Sequence, residues 1–250
     1  MTVTIEKGCD ISWWQGIVNF LKMKLAGALF VIIRVGSCNS ATGVCYWDYC
    51  VATNAAGAEE VSLRKGFYWF YREFGIEHAK KQARFFWDAI KEWTIEEGLF
   101  CDVEVYNANL KNVLAFMLEL KRVSGLPDKM LGIYSRALLW NALSGDHSLF
   151  KRFLCWVARY CVLLHPWNDA VHMRMQPWDE PDYHQHSADK NGRGAEYGVE
   201  SDDIDLNRKF VVGNDSNEEP KNSLEPAHVL IIPTGNVLVE VQIEAEAEVV

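Results

Sequence analysis

Five short apolar runs fall within the first 136 residues, and segments of helical periodicity lie between them. The runs are "GCDISWW" (8–14), "LFVIIRVG" (29–36), "KGFYWFY" (65–71), "LFCDVEVY" (99–106) and "MLGIYSR" (130–136). Between the third and fourth, Ala79, Ala83, Phe86, Ile90 and Trp93 step by four and three, and Leu110, Val113, Leu114, Met117 and Leu120 repeat the pattern before the fifth. That spacing gathers apolar side chains on one helical face. Strands alternating with such helices form β-α units rather than a sandwich.

After Leu143 the helical signal thins, while strand-like pieces continue as "FLCWVARY" (153–160), "VHMRMQ" (171–176), "YHQHSA" (183–188) and "DDIDLNRKF" (202–210). Eight strands, or nine, with about five helices predict an α/β fold: a distorted, TIM-like β/α barrel whose last quarter has few helices. An open doubly wound sheet is the alternative. In a barrel of this type the functional residues sit at the carboxyl ends of the strands.

Composition sets a boundary near Phe210. "VVGNDSNEEPKNSLEP" is rich in turn formers and acids, so the sequence predicts a barrel domain over 1–210 and an acidic linker with a C-terminal β-hairpin tail over 211–250. The tail hairpin is centred on "PTGN", with apolar residues alternating from Val237 to Val249. Residues 211–250 hold eight acids against Lys221, a charge of −7 out of −9 for the chain. The nearly neutral remainder has no basic stripe, which argues against nucleic acid as a partner. No apolar run approaches the ~20 residues of a membrane span. The opening "MTVTIEKGCDISWW" lacks the basic and apolar parts of a signal peptide, so synthesis in the cytoplasm is expected. Seven cysteines without a C-x-x-C pair read as free buried thiols; Cys38, Cys45 and Cys50 crowd one loop, with a bridge or soft metal site as the lesser option.

The run "LFCDVEVY" carries two acids where a strand should be apolar. Residues i and i+2 of a strand share a face, so Asp102 and Glu104 point together into the barrel mouth, while Cys101, Val103 and Val105 face the helices. The same reading applies to Asp10 in "GCDIS" and to Asp203 and Asp205 in "DDIDLN". Charges inside apolar runs cost several kcal/mol unless paired, so a cleft at strand ends is their natural place. Neighbouring acids push one another's pKa upward and supply a proton donor beside an anion, the equipment of glycoside hydrolysis.

"GCDISWWQG", "CDVEVY", "LGIYSR", "HQHS" and "IDLN" stand in the order and spacing of the lysozymes of glycoside hydrolase family twenty-five, which residues 8–210 resemble. The resemblance implies a muramidase that cleaves the β-1,4 bond between N-acetylmuramic acid and N-acetylglucosamine in peptidoglycan, as phage endolysins do after reaching the cell wall. It implies Glu104 as general acid/base, Asp102 beside it stabilising the cationic transition state or orienting the substrate acetamido group, and Asp10 and Asp205 completing the acidic cleft. Tyr68, Tyr134, Tyr160, Trp13 and Gln185 are the implied substrate contacts, whereas Trp14 and Trp156 read as core. The chain departs from the family pattern at Trp69, where histidine is usual, and at His184, which replaces an aromatic expected to line the groove. His184 and His186 share a strand face without a third ligand, so neither a metal nor a cofactor is expected. The competing reading is a non-catalytic carbohydrate-binding or virion structural module on the same barrel. Self-association through the tail is a further expectation, since its apolar, one-faced strand would otherwise leave an edge uncovered.

Overall fold

The computed structural model describes residues 3–160, 174–188 and 190–212 and, in the tail, the backbone of 232–234 and 237–239. The chain divides into two units, residues 1–213 and 214–250. In the first, the strands are β1 (Val3–Ile11), β2 (Phe30–Cys38), β3 (Cys45–Trp47), β4 (Arg64–Phe70), β5 (Gly98–Asp102), β6 (Leu131–Arg136), β7 (Leu154–Ala158), β8 (Tyr183–Ser187) and β9 (Asp205–Val212). The helices are α1 (Phe20–Leu25), α2 (Val51–Glu60), α3 (Ile76–Ile90), α4 (Leu110–Ser124), α5 (Ala137–Ala142) and the single turn α6 (Gly194–Tyr197).

Strands β1, β2, β4, β5, β6, β7 and β8 run parallel in that order; β9 is antiparallel and lies between β8 and β1, closing an eight-strand barrel. The expected distorted β/α barrel is therefore the fold. In the second unit, β10 (Ile232–Thr234) and β11 (Val237–Val239) pair antiparallel around a two-residue connection. The expected alternation beyond Val239 lies outside the described residues.

Strand alternation sorts the apolar side chains into two cores. Outward residues such as Val31, Ile33, Phe67, Leu99, Cys101 and Ile133 pack under the helices. Inward residues Phe30, Ile32, Tyr68, Phe100, Tyr134, Trp156 and Tyr183 fill the barrel. Gly8 and Gly132 make room for this filling, because a Cβ at either position would collide with the ring of Phe30 or Phe100. Small residues opposite large ones are what a narrow barrel end requires. The long helices α3 and α4 bury Ala79, Ala83, Phe86, Ile90 and Leu110, Val113, Met117, Leu120 on the faces the spacing predicts, while Leu114 and Trp93 are only partly buried and Phe116 is buried in addition.

Three expectations need correction. Residues 174–176 of the "VHMRMQ" run are not strand, and 171–173 lie outside the described residues. Cys38 and Cys45 are a disulfide rather than free thiols; they are direct cross-strand partners where β3 folds back on β2, a pairing that a short strand hides from periodicity. Cys9, Cys50, Cys101 and Cys155 are free and buried, as expected. The apolar runs around Asp10 and Glu104 also overshoot their strands: β1 ends at Ile11 before a turn over Trp13–Gln15, and β5 ends at Asp102. No helix among the described residues is long and apolar enough to cross a membrane.

Candidate active site

Seven parallel strands send their carboxyl ends to one side of the barrel, and the antiparallel β9 begins there. This topology collects Asp10 near the end of β1, Asp102 at the end of β5, Glu104 two residues beyond it and Asp205 at the start of β9 around one cleft of about 600 Å³. Asp203 stands at its edge, where its carboxylate accepts the backbone N–H groups of Lys190 and Gly192, both at 2.8 Å, which hold its pKa down.

The acids at the centre of the cleft crowd one another. Asp10 and Asp205 are direct cross-strand partners, which places two carboxyls against each other. Gln185 Nε2 and Asn207 Nδ2 donate to Asp10 Oδ2 at 2.8 and 2.7 Å, yet burial still pushes its pKa up to about 6. Asp102 is 2% exposed, and its Oδ1 has no hydrogen-bond partner. Burial and then the charge of Glu104 drive its pKa well up, with Arg34 pulling the other way. Glu104 is half-buried; burial raises its pKa, and the Arg136 guanidinium 3.4 Å away opposes the rise.

The aromatic walls are equally ordered. Tyr134 and Tyr160 both donate their hydroxyls to Gln185 Oε1, at 2.7 and 2.6 Å, so a chain of hydrogen bonds runs from the tyrosines through Gln185 to Asp10. Trp156 Nε1 donates to Asn207 Oδ1 at 2.8 Å, and its ring packs on Tyr68 and Tyr134. Burial raises the pKa of Tyr68, Tyr134 and Tyr160, keeping all three phenols protonated as donors.

Of the residues expected here, Glu104, Asp102, Asp10, Asp205, Tyr68, Tyr134, Tyr160 and Gln185 all line the cleft, and Trp13 does not. Trp14 lines it instead. It is 65% exposed with its ring stacked 3.7 Å from that of Trp13, contrary to the expectation of a core residue. Ser12 explains the exchange: its hydroxyl accepts the N–H of Trp14 and its backbone N–H reaches Gln15, starting a turn that breaks strand alternation. Trp156 is buried as expected, at 1%, but also forms part of the cleft floor. His184 does not line the groove. Gln185 faces inward, so His184 and His186 face outward, and burial lowers their pKa values to about 4 and 3. Sequence reading missed Arg34, locked to Asp48 at 2.8 and 3.2 Å, and Arg136 beside Glu104. Both carry the signal that exposed Asp102, a charge within or at the end of an apolar strand run.

Paired acids with raised pKa values between aromatic walls, at the carboxyl end of a β/α barrel, are the layout of a glycoside hydrolase. The sequence profile of glycosyl hydrolases family 25 matches residues 9–195, and the chain belongs to that family. No curated protein sequence matches it. Among solved structures it is similar to the spore cortex lytic enzyme SleM of Clostridium perfringens, at TM-score 0.68 and 19% identity over 82% of this chain and 67% of that one. It is also similar to the catalytic domain of endolysin ply40 from bacteriophage P40 of Listeria monocytogenes, at TM-score 0.60 and 23% identity over 82% and 92% of the two chains. The bacterial lysozyme of Streptomyces coelicolor gives TM-score 0.63 and 21% identity over 82% and 91%.

Proposed function

We propose that this chain is an N-acetylmuramidase that hydrolyses the β-1,4 bond between N-acetylmuramic acid and N-acetylglucosamine in the peptidoglycan of a cell wall. The observation that carries the reading is the Asp102–Glu104 pair in the cleft of a family 25 barrel, each acid with its pKa pushed upward. Glu104, open to the cleft, holds a proton and gives it to the glycosidic oxygen as the bond to the anomeric carbon breaks. The sugar left behind carries positive charge. Asp102, buried beside Glu104, stabilises that charge in its carboxylate form, which the developing cation favours. Water then bonds to the anomeric carbon, and a carboxylate of the cleft takes its proton.

Asp10 and Asp205 hold the floor and keep Asp102 and Glu104 in a field of like charge, while Gln185 positions Tyr134 and Tyr160 against the sugar. The proposal predicts that purified peptidoglycan incubated with the protein gains N-acetylmuramic acid at its new reducing ends, read by mass analysis after reduction. New N-acetylglucosamine reducing ends, or none, would overturn it. Two adjacent acids whose pKa values are both raised are costly in a binding module and useful in a catalyst, which supports the catalytic reading over the non-catalytic one.

A further inference from the structure

We infer that a cationic pocket beside the cleft receives the acidic peptide borne by the muramoyl residue, so that the enzyme reads the stem as well as the sugar; the inference rests on the muramidase reading above. A second concavity of about 600 Å³ lies between α5 and the end of β7, and shares Arg136 and Tyr160 with the cleft. A ligand can therefore run from one into the other without leaving the surface. Their chemistry is opposite. Five acids line the cleft, whereas the side pocket is lined by Arg136, Arg159 and Arg174 and, among the described residues, by no acid.

Uncharged sugars fit a site of carboxylates, but the free carboxyls of a stem peptide are repelled from it. The guanidiniums next door, Arg136 still paired with Glu104, bring positive charge and planar donor groups of the shape a carboxylate takes. The remaining wall suits short aliphatic side chains: Leu138 and Tyr106 are 89% and 81% exposed and stand with Ala137 and Ala142. Arg174 is placed by α5, since Asn141 Nδ2 donates to the Arg174 carbonyl at 3.0 Å and its Oδ1 accepts the Gln176 N–H at 2.9 Å. Tyr160, tied to Gln185 by its hydroxyl, stands at the boundary of the two spaces.

The test compares glycan strands carrying stem peptides with the same strands stripped of peptide by an amidase. For the Arg159→Gln/Arg174→Gln double variant of the full chain, kcat/KM on peptide-bearing strands falls roughly tenfold to hundredfold, the scale of lost charge-assisted hydrogen bonds. The loss lies in KM, and turnover of stripped strands is unchanged. Leu138→Asp, at an exposed position that folding tolerates, produces the same selective loss by adding an acid to the pocket. Equal losses on both substrates, or none on either, would overturn the inference. Should the wild type cleave neither substrate, the muramidase reading falls. Calorimetric binding of the free stem tripeptide, abolished in the double variant, would then sustain the pocket, and no binding would end it.

Discussion

At the amino end of the barrel Glu97 is 1% exposed, as deeply buried as Asp102 (2%) and Asp10 (3%) at the carboxyl end. The surroundings differ completely. Tyr183 and Lys209 each approach Glu97 Oε2 at 2.7 Å, and Arg64 lies 2.9 Å from the other oxygen while its remaining donors reach Glu6 at 2.6 Å. At the carboxyl end the acids face one another, Arg34 pairs with Asp48 and Arg136 with Glu104. Cations and a phenol surround Glu97, whereas Asp102 faces a second acid. The barrel thus separates the end that holds it together from the end that acts.

Breaking the comparison from the compensated side gives the largest effect on stability. Glu97→Ala leaves Lys209 without this partner, empties a buried site and lowers unfolding free energy by about 2–3 kcal/mol, the upper part of the range for hydrogen bonds to charged groups. Denaturant titration measures it, and turnover per folded molecule is retained. From the acidic end, Asp102→Asn works in the opposite direction: it removes the desolvation cost of ionising a buried acid beside Glu104, so at neutral pH and above stability rises by about 1–3 kcal/mol while activity collapses. A destabilised Asp102→Asn would show that the acid is compensated after all.

Asp10 sharpens the comparison through pH. Its folded-state pKa of about 6 stands above the ordinary 3.8, so the native chain binds more protons than the unfolded chain between those values. The stability from its protonated form is complete below that window and lost as pH rises through about 6. Unfolding midpoints across the window fall with rising pH in the wild type, and this slope flattens in Asp10→Asn. Removing residues 214–250 has the smallest effect, with the unfolding midpoint of the barrel unit and its cleavage of soluble muropeptides retained. A lower mass by light scattering would assign self-association to the tail, and loss of fold would displace the boundary.

The barrel was legible because its parallel strands are buried on both faces and its long helices on one, which leaves strong periodic marks such as Ala79 to Trp93. The acids were legible because a charge in an apolar run stands out. Local backbone turns were not. Trp14 rather than Trp13 lines the cleft because the Ser12 cap ends strand alternation three residues earlier than the apolar run suggests. β3 is three residues long and depends on the Cys38–Cys45 pairing, so no window of sequence announces it. The outward face of His184 was available in principle, since an inward Gln185 forces its neighbours outward.

The most direct test places turnover and stability of Glu104→Gln side by side. Purified variant and wild type are compared for peptidoglycan clearance and for denaturant unfolding. Glu104 is predicted to act as proton donor without supporting the fold, so clearance falls by roughly 10²–10⁴-fold while the unfolding midpoint stays at the wild-type value. Near wild-type clearance by folded Glu104→Gln protein would contradict the central claim.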